Sequence, residues 1–70
     1  MYRFLIVIEK AENNYSAYSP DLPGCIATGK TKEEVDMNIH SAIEMHLAGL
    51  KEDKISIPEP SSYADYVSVE

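Results

Sequence analysis

The fold is decided by residues 15–25, which read YSAYSPDLPGC. The first four residues predict a short strand, and the two prolines that follow cannot extend a sheet because they lack a backbone N–H donor. Pro23 and Gly24 suit the central positions of a type II turn, where glycine supplies the positive φ. A further strand is predicted at residues 25–29. The stretch therefore indicates two strands joined by a turn-rich loop.

Residues 2–9 precede this stretch and are apolar on both faces of an extended chain. One face carries Tyr2, Phe4, Ile6 and Ile8, and the other carries Leu5 and Val7. A strand that is apolar on both sides belongs in the middle of a sheet. Residues 10–14 are rich in turn formers and reverse the chain. The first three strands are therefore predicted to form an antiparallel meander.

A single helix is predicted to begin after Thr31. Thr31 and Glu34 have the spacing of a capping box. In such a box the Thr31 hydroxyl accepts from the Glu34 N–H, and the Glu34 carboxylate accepts from the Thr31 N–H. Apolar and small residues then recur at helical spacing along one stripe, namely Val35, Ile39, Ala42, Ile43, His46 and Leu50. Gly49 weakens the last turn, so we expect the helix to end near Lys51.

A fourth strand is predicted at residues 63–69, after an extended linker that contains Pro58 and Pro60. A right-handed crossover through the helix would place it parallel to the first strand, on that strand's free edge. The predicted fold class is α+β, with one helix packed on the sheet, and residues 1–70 form a single domain.

Small size limits how this chain is stabilised. A domain of 70 residues buries only about 60% of its unfolded surface, and its one cysteine excludes an internal disulfide. Self-association is the remaining compensation, so we expect a homo-dimer or tetramer. A free thiol, with no membrane-spanning stretch of about 20 apolar residues and no cleavage site, favours the cytoplasm.

The charge balance excludes one class of partner. Six Lys and Arg stand against twelve Asp and Glu, which gives a net charge of −6. Nucleic acids are polyanions that attract basic proteins, so direct nucleic-acid binding is not expected. Membrane association is not expected either, because no segment approaches the roughly 20 apolar residues of a span. The charge suits a basic protein partner, although it also simply keeps a small domain in solution.

Few residues suggest catalysis. His40 precedes Glu44 by one helical turn and predicts a solvated pair, while His46 lies on the apolar stripe as a packing residue. Cys25 has no neighbouring base and is expected to be a small buried side chain. Glu9 and Asp65 alone make a poor metal site, because a metal-dependent nuclease needs more carboxylates. We therefore expect no catalytic residue, no metal, no cofactor and no enzyme activity.

Aromatic side chains suggest protein binding instead. Tyr15, Tyr18, Tyr63 and Tyr66 are either interface residues or caps on a small core. Tyrosine is favoured at interfaces because it buries a rigid ring and keeps a polar tip. The helix also carries Glu33, Asp36 and Glu44, which either meet a basic partner or form a solvated face.

The run from Tyr15 to Cys25, with the Gly29–Glu34 helix entry and the Ile57–Pro60 segment, resembles the HicB antitoxin N-terminal domain over nearly the whole chain. The resemblance implies a partial ribonuclease-H-like β-β-β-α-β fold. It also implies a partner, a small basic HicA-like toxin that cleaves RNA and is silenced when its active site is covered. We expect the edges and the Pro20-Asp21-Leu22-Pro23 turn to contact that partner.

The resemblance leaves other functions open. HicB antitoxins usually add a C-terminal DNA-binding domain, which we expect this chain to lack, so promoter binding is in doubt. One alternative is a self-associating module without a toxin. A second is a weak Mg²⁺-dependent nuclease that uses Glu9 and Asp65, and a third is a dimeric DNA-binding regulator.

Overall fold

A computed structural model describes residues 2–70 and contains one sheet and one helix. The strands are β1 (Val7–Lys10), β2 (Tyr15–Tyr18) and β3 (Ile26–Gly29), and the helix α1 spans Lys32–Glu52. The sheet order is β1-β2-β3, and both neighbouring pairs are antiparallel. The predicted α+β class and the three-stranded meander are confirmed.

The register of the sheet separates its residues into two faces. Val7 lies opposite Tyr18, which lies opposite Ile26, and the next row is formed by Ile8, Ala17 and Ala27. Residues opposite one another project to the same face of the sheet. The Ile8 row faces α1 and the core, because Ala17 is only 1% exposed. The Val7 row therefore lies on the face that α1 does not cover.

The buried core is small and includes a residue from a loop. Its members are the fully buried apolar side chains Ala17, Leu22, Cys25, Val35 and Ile39. Burial of one Leu or Ile side chain contributes roughly 1.5–3 kcal/mol, so each of the larger members matters to the stability of the domain. Leu22 comes from the loop between β2 and β3, which is therefore part of the core.

Two consecutive turns bring Leu22 inside. The Leu22 N–H donates to the Ser19 carbonyl at 3.1 Å, and the Cys25 N–H donates to the Leu22 carbonyl at 3.0 Å. The second turn places Pro23 and Gly24 at its centre, and Gly24 has a φ of +82°. The predicted type II turn agrees with this geometry.

The helix begins with the predicted capping box, but one of its two hydrogen bonds comes from the residue before the predicted donor. The Glu34 N–H donates to Thr31 Oγ1 at 3.0 Å, as expected. The Glu34 carboxylate accepts from the Lys30 N–H at 2.8 Å, rather than from the Thr31 N–H. The helix ends at Glu52, close to the predicted end. Leu47 also packs against the core, although the predicted stripe named His46 at this turn.

The first strand is shorter than the predicted segment of residues 2–9. Its ladder begins at Val7 because the partner of Val7 is Tyr18, the last residue of β2. The chain then turns at Pro20, which has no N–H to offer a longer ladder. Phe4 and Ile6 still pack against the core, so the segment is held by its side chains rather than by strand pairing.

The predicted fourth strand at residues 63–69 is not formed. Residues 55–70 contain no helix or strand, and Tyr66, Val67 and Val69 are 98%, 84% and 85% exposed. A strand needs a partner for its backbone groups, and the tail does not pair with the nearby edge at residues 3–6, from which an open gap separates it. The ribonuclease-H-like β-β-β-α-β assignment requires that strand and is not confirmed either.

Gly29 controls how closely α1 approaches the sheet. A Cβ atom at this buried position would lie 2.5 Å from the Val35 backbone nitrogen and 2.9 Å from its Cα. These atoms belong to the first turns of α1 and cannot move independently of the helix. The absence of a side chain at Gly29 is therefore what allows Val35 to reach the core.

We predict that Gly29→Ala lowers the free energy of unfolding by about 1–3 kcal/mol, because α1 must move away from β3. Gly49→Ala is the matched control, since a Cβ there meets nothing within 4 Å. Removing a helical glycine should raise stability by up to about 1 kcal/mol. Urea unfolding followed by circular dichroism measures both variants, and equal stability of Gly29→Ala and wild type would contradict the close-approach argument.

Candidate functional site

One group of exposed apolar side chains surrounds the free edge of β3. Ile26 is 64% exposed, Met45 of α1 is 75% exposed, and Tyr18 lies beside Ile26 in the sheet and is 41% exposed. A shallow hollow of about 340 Å³ lies at this edge, lined by Gly24, Cys25, Ile26, Ala42, Met45 and His46. We call Tyr18, Ile26 and Met45 the β3-edge patch.

A second apolar surface lies near the other edge of the sheet, between residues 2–6 and α1. This N-terminal groove has a volume of about 390 Å³, and its apolar lining consists of Tyr2, Phe4, Ile6, Ile39, Ile43 and Leu47. The rings of Tyr2 and Phe4 stack with their centroids 5.9 Å apart. Charged or ionisable side chains also line it, namely Arg3, Asp36, His40 and Glu44.

The tail, residues 60–70, is anchored at its start by Asp21. The Asp21 carboxylate accepts hydrogen bonds from the backbone N–H groups of Ser61 and Ser62, each at 3.2 Å. It also accepts from their hydroxyl groups, at 3.1 and 2.9 Å respectively. One side chain of the β2–β3 loop therefore fixes the position of a segment 40 residues further along the chain.

The hydrogen bonds also set the ionisation of Asp21. Partial desolvation by the loop acts to raise its pKa, but the hydrogen bonds from Ser62 and Ser61 favour the charged form more strongly. The net pKa therefore lies below its ordinary value of 3.8. The anchor needs the ionised carboxylate, which accepts from all four donors.

Beyond the anchor, the tail runs beside residues 3–6 without pairing with them. An open gap of about 600 Å³ separates the two segments, and its lining includes Arg3, Ile6, Pro60 and Ala64. Past Ala64 the side chains are almost fully exposed, and Tyr66 reaches 98%. The tail is thus positioned by Asp21 but leaves its own apolar side chains uncovered.

The structure separates the residues that were predicted to bind a partner. Tyr15 is half-buried and packs against the core, which supports its role as a cap. Tyr18, Pro20, Pro23, Tyr63 and Tyr66 are exposed. Leu22 is 0% exposed, so its side chain is not available to a partner. Asp21 is already engaged with the tail.

Sequence reasoning missed two members of the β3-edge patch. Ile26 precedes a core-facing alanine, so the two-residue period of a strand would have placed it on the opposite face. Met45 lies outside the apolar stripe of α1, where an exposed methionine has no packing role. The anchor at Ser61 and Ser62 has no comparable signal, because it depends on a contact across 40 residues.

The candidate catalytic residues of the sequence have structural roles. His40 Nε2 lies 3.7 Å from Glu44 Oε1, and both side chains are at least 70% exposed, which confirms the solvated pair. Cys25 is buried as predicted, and desolvation raises the pKa of its thiol. Within residues 2–70, no three His, Cys, Asp or Glu side chains lie close enough to share a metal ion. No helix in this part of the chain has the length and hydropathy to cross a membrane.

Comparison with known proteins shows a family to which this chain is similar. Residues 4–70 match the family described as HicB_like antitoxin of bacterial toxin-antitoxin system. A UPF0150 protein of Helicobacter pylori is 48% identical over 50 residues, covering 71% of this chain and 69% of that protein. A UPF0150 protein of Thermoplasma acidophilum is 36% identical over 61 residues, covering 86% and 88%.

A longer protein is also similar. An uncharacterized 14.9 kDa protein from the rep-hol intergenic region of Haemophilus phage HP1 is 35% identical over 63 residues. The match covers 90% of this chain and 47% of the phage protein, so the chain spans about half the length of that relative. No solved structure matches the chain.

We predict that acid releases the tail from Asp21. Because the pKa of Asp21 is lowered in the anchored state, the anchor is fully present above the ordinary value of 3.8 and is lost as the pH falls below it. The amide resonances of Ser61 and Ser62 should shift together over that range in an NMR titration. In Asp21→Ala the same resonances should have their released positions already at pH 7, and wild-type positions in that variant would contradict the anchor.

Proposed function

This chain belongs to the HicB-like antitoxin family of bacterial toxin–antitoxin systems, and we propose that it neutralises a small basic HicA-like toxin by covering the toxin's RNA-cleaving site. The observation that carries the proposal is the family match over residues 4–70, since an antitoxin implies a toxin partner of some kind. The role is binding rather than catalysis. The place of action is the cytoplasm, where an RNA-cleaving toxin meets its substrate.

The charge of the chain supports a basic partner. A protein that binds and cleaves RNA presents Lys and Arg to the phosphates. A partner with a net charge of −6 is attracted to that same surface and competes with RNA for it. Electrostatic attraction mainly raises the association rate, so the pairing should weaken as salt is added. Charge alone does not fix where the two proteins touch.

The β3-edge patch is the surface that we assign to the toxin. Tyrosine and methionine are enriched at interfaces, and Tyr18 and Met45 flank Ile26 with their side chains uncovered. The outer edge of β3 has no neighbouring strand within residues 2–70, so its backbone groups can also pair with an added strand. Pro20 and Pro23, which were predicted to contact the partner, lie in the loop that leads into β3.

A catalytic alternative has weaker support. The nuclease hypothesis needs Glu9 and Asp65 to act together on a metal ion. Glu9 lies in β1, whereas Asp65 lies in the exposed tail, where its carboxylate accepts from the Tyr66 N–H at 2.7 Å. The antitoxin family also indicates a non-enzymatic role. If RNA cleavage by the purified chain required both carboxylates, the nuclease hypothesis would replace ours.

Co-expression tests the pairing directly. The small basic protein encoded next to this chain is expressed alone and together with it, and host growth and co-purification are scored. We expect the neighbour to stop growth alone and to form a harmless complex with this chain. A neighbour that is harmless alone, or toxic in both cases, would refute the pairing.

Ile26→Asp tests the assigned surface. We expect it to weaken toxin binding by about 10- to 100-fold, because an interface core excludes an unpaired charge. Met37→Asp is the matched control, since Met37 is 70% exposed on α1 and does not line the hollow. Calorimetric titration of the toxin measures both, with circular dichroism to confirm folding. Equal losses in the two variants would indicate that the toxin binds elsewhere.

A further inference from the structure

Residues 2–6 have an unpaired strand edge, and the tail has uncovered apolar side chains that could lie against it. Phe4 and Ile6 face the core side of the sheet, while Leu5 continues the face that α1 leaves open. A segment that is apolar on both faces is suited to the interior of a sheet, yet within residues 2–70 no strand pairs with its outer edge, and the start of its own tail faces it only across an open gap. The N-terminal groove next to it remains open.

The tail offers the side chains that such an edge requires. Side chains alternate along a strand, so Val67 and Val69 fall on one face together with Asp65 at the start of the segment, and Tyr66 falls on the other. An added strand from residues 64–69 would place the two valines in the N-terminal groove and lay Tyr66 over Leu5 and Val7. Both faces of residues 2–6 would then be covered by one segment.

The tail does not do this within its own chain. Asp21 fixes Ser61 and Ser62, and beyond Ala64 the segment leaves the body of the molecule. The radius of gyration is 13.6 Å and the longest dimension is 47 Å. A compact chain of this length would have a radius of gyration of about 11 Å, so the tail projects outward as an arm.

We propose that the projecting tail of one copy adds a strand to residues 2–6 of a second copy, and that the exchange is reciprocal in a two-fold dimer. A two-fold axis makes each copy both donor and acceptor, so both edges are closed at once. Each tail brings one tyrosine, which buries about 150–250 Å², and two valines. The surface buried by two tails and by the two grooves that they cover exceeds the roughly 1,000 Å² that a specific interface needs.

Apolar side chains rather than charge drive this association. Asp65 of the tail is acidic, and the N-terminal groove is lined by Asp36 and Glu44 as well as by Arg3. The inference does not depend on the toxin, because it concerns only copies of this chain.

Sedimentation and light scattering on the purified chain give the first test. We expect a species of twice the chain mass of 7.8 kDa. Val67→Asp combined with Val69→Asp should raise the dimer dissociation constant about 100-fold or more, because the groove would have to bury two charges. Ile55→Asp is the matched control, since Ile55 is a 54% exposed apolar residue outside the tail. A monomeric wild type, or a dimer that survives the double substitution, would overturn the proposal.

Cysteine cross-linking identifies the segments that meet. Arg3→Cys and Val67→Cys are made in separate chains of distinguishable mass, mixed and gently oxidised, with the native Cys25 buried in both. A disulfide between the two different chains is expected. A disulfide that forms only when one chain carries both substitutions, at low protein concentration, would show that the tail meets residues 2–6 of its own chain. That result would refute the exchange. Because no toxin is present, either result leaves the co-expression test unaffected.

Discussion

The burial of Leu22 is the constraint on which the rest of this structure depends. Leu22 is a loop residue, yet it is 0% exposed and shares the core with Val35 and Ile39 of α1. Two successive turns are needed to direct its side chain inward, and the positive φ of Gly24 closes the second one. Once Leu22 is inside, Asp21 beside it remains at the surface and receives the tail. One short loop thereby determines the core, the entry to β3 and the path of the tail.

A single helix covers only one face of the sheet, and this determines where surface remains for partners. The close approach at Gly29 seats α1 on β3, so the opposite face and both sheet edges stay accessible. The five apolar side chains that are fully buried within residues 2–70 make a small core. Small domains commonly gain further burial by association, and the proposed dimer would supply it here.

Features set by neighbouring residues were predictable from the sequence. The hydrogen bond from the Glu34 N–H to Thr31 and the turn at Pro23-Gly24 each depend on a few consecutive residues, and both formed where expected. Burial of Cys25 was expected because no basic residue lies near it in the sequence. The apolar stripe of α1 was right at Val35 and Ile39, because helical spacing alone assigns those positions to one face.

Features set by distant contacts were not predictable in the same way. The length of β1 is fixed by where β2 ends, and the strand predicted for the tail did not form because an open gap separates the tail from the edge at residues 3–6. Asp21 was expected to meet a partner, whereas its hydrogen bonds to Ser61 and Ser62 span 40 residues. The burial of Leu22 was not predicted for a related reason, since a loop residue enters the core only through the geometry of both turns.

The proposed toxin complex and the proposed dimer depend on different forces, and the charge of the chain explains why. Two copies that each carry a charge of −6 repel one another, so self-association must rely on apolar side chains such as Val67 and Val69. A basic toxin is attracted by the same charge, and a dimer presents twice as much of it. Salt therefore weakens the toxin complex while it screens the repulsion within the dimer. Because residues 2–6 lie at one edge of the sheet and the β3-edge patch lies at the other, both partners can be bound at once.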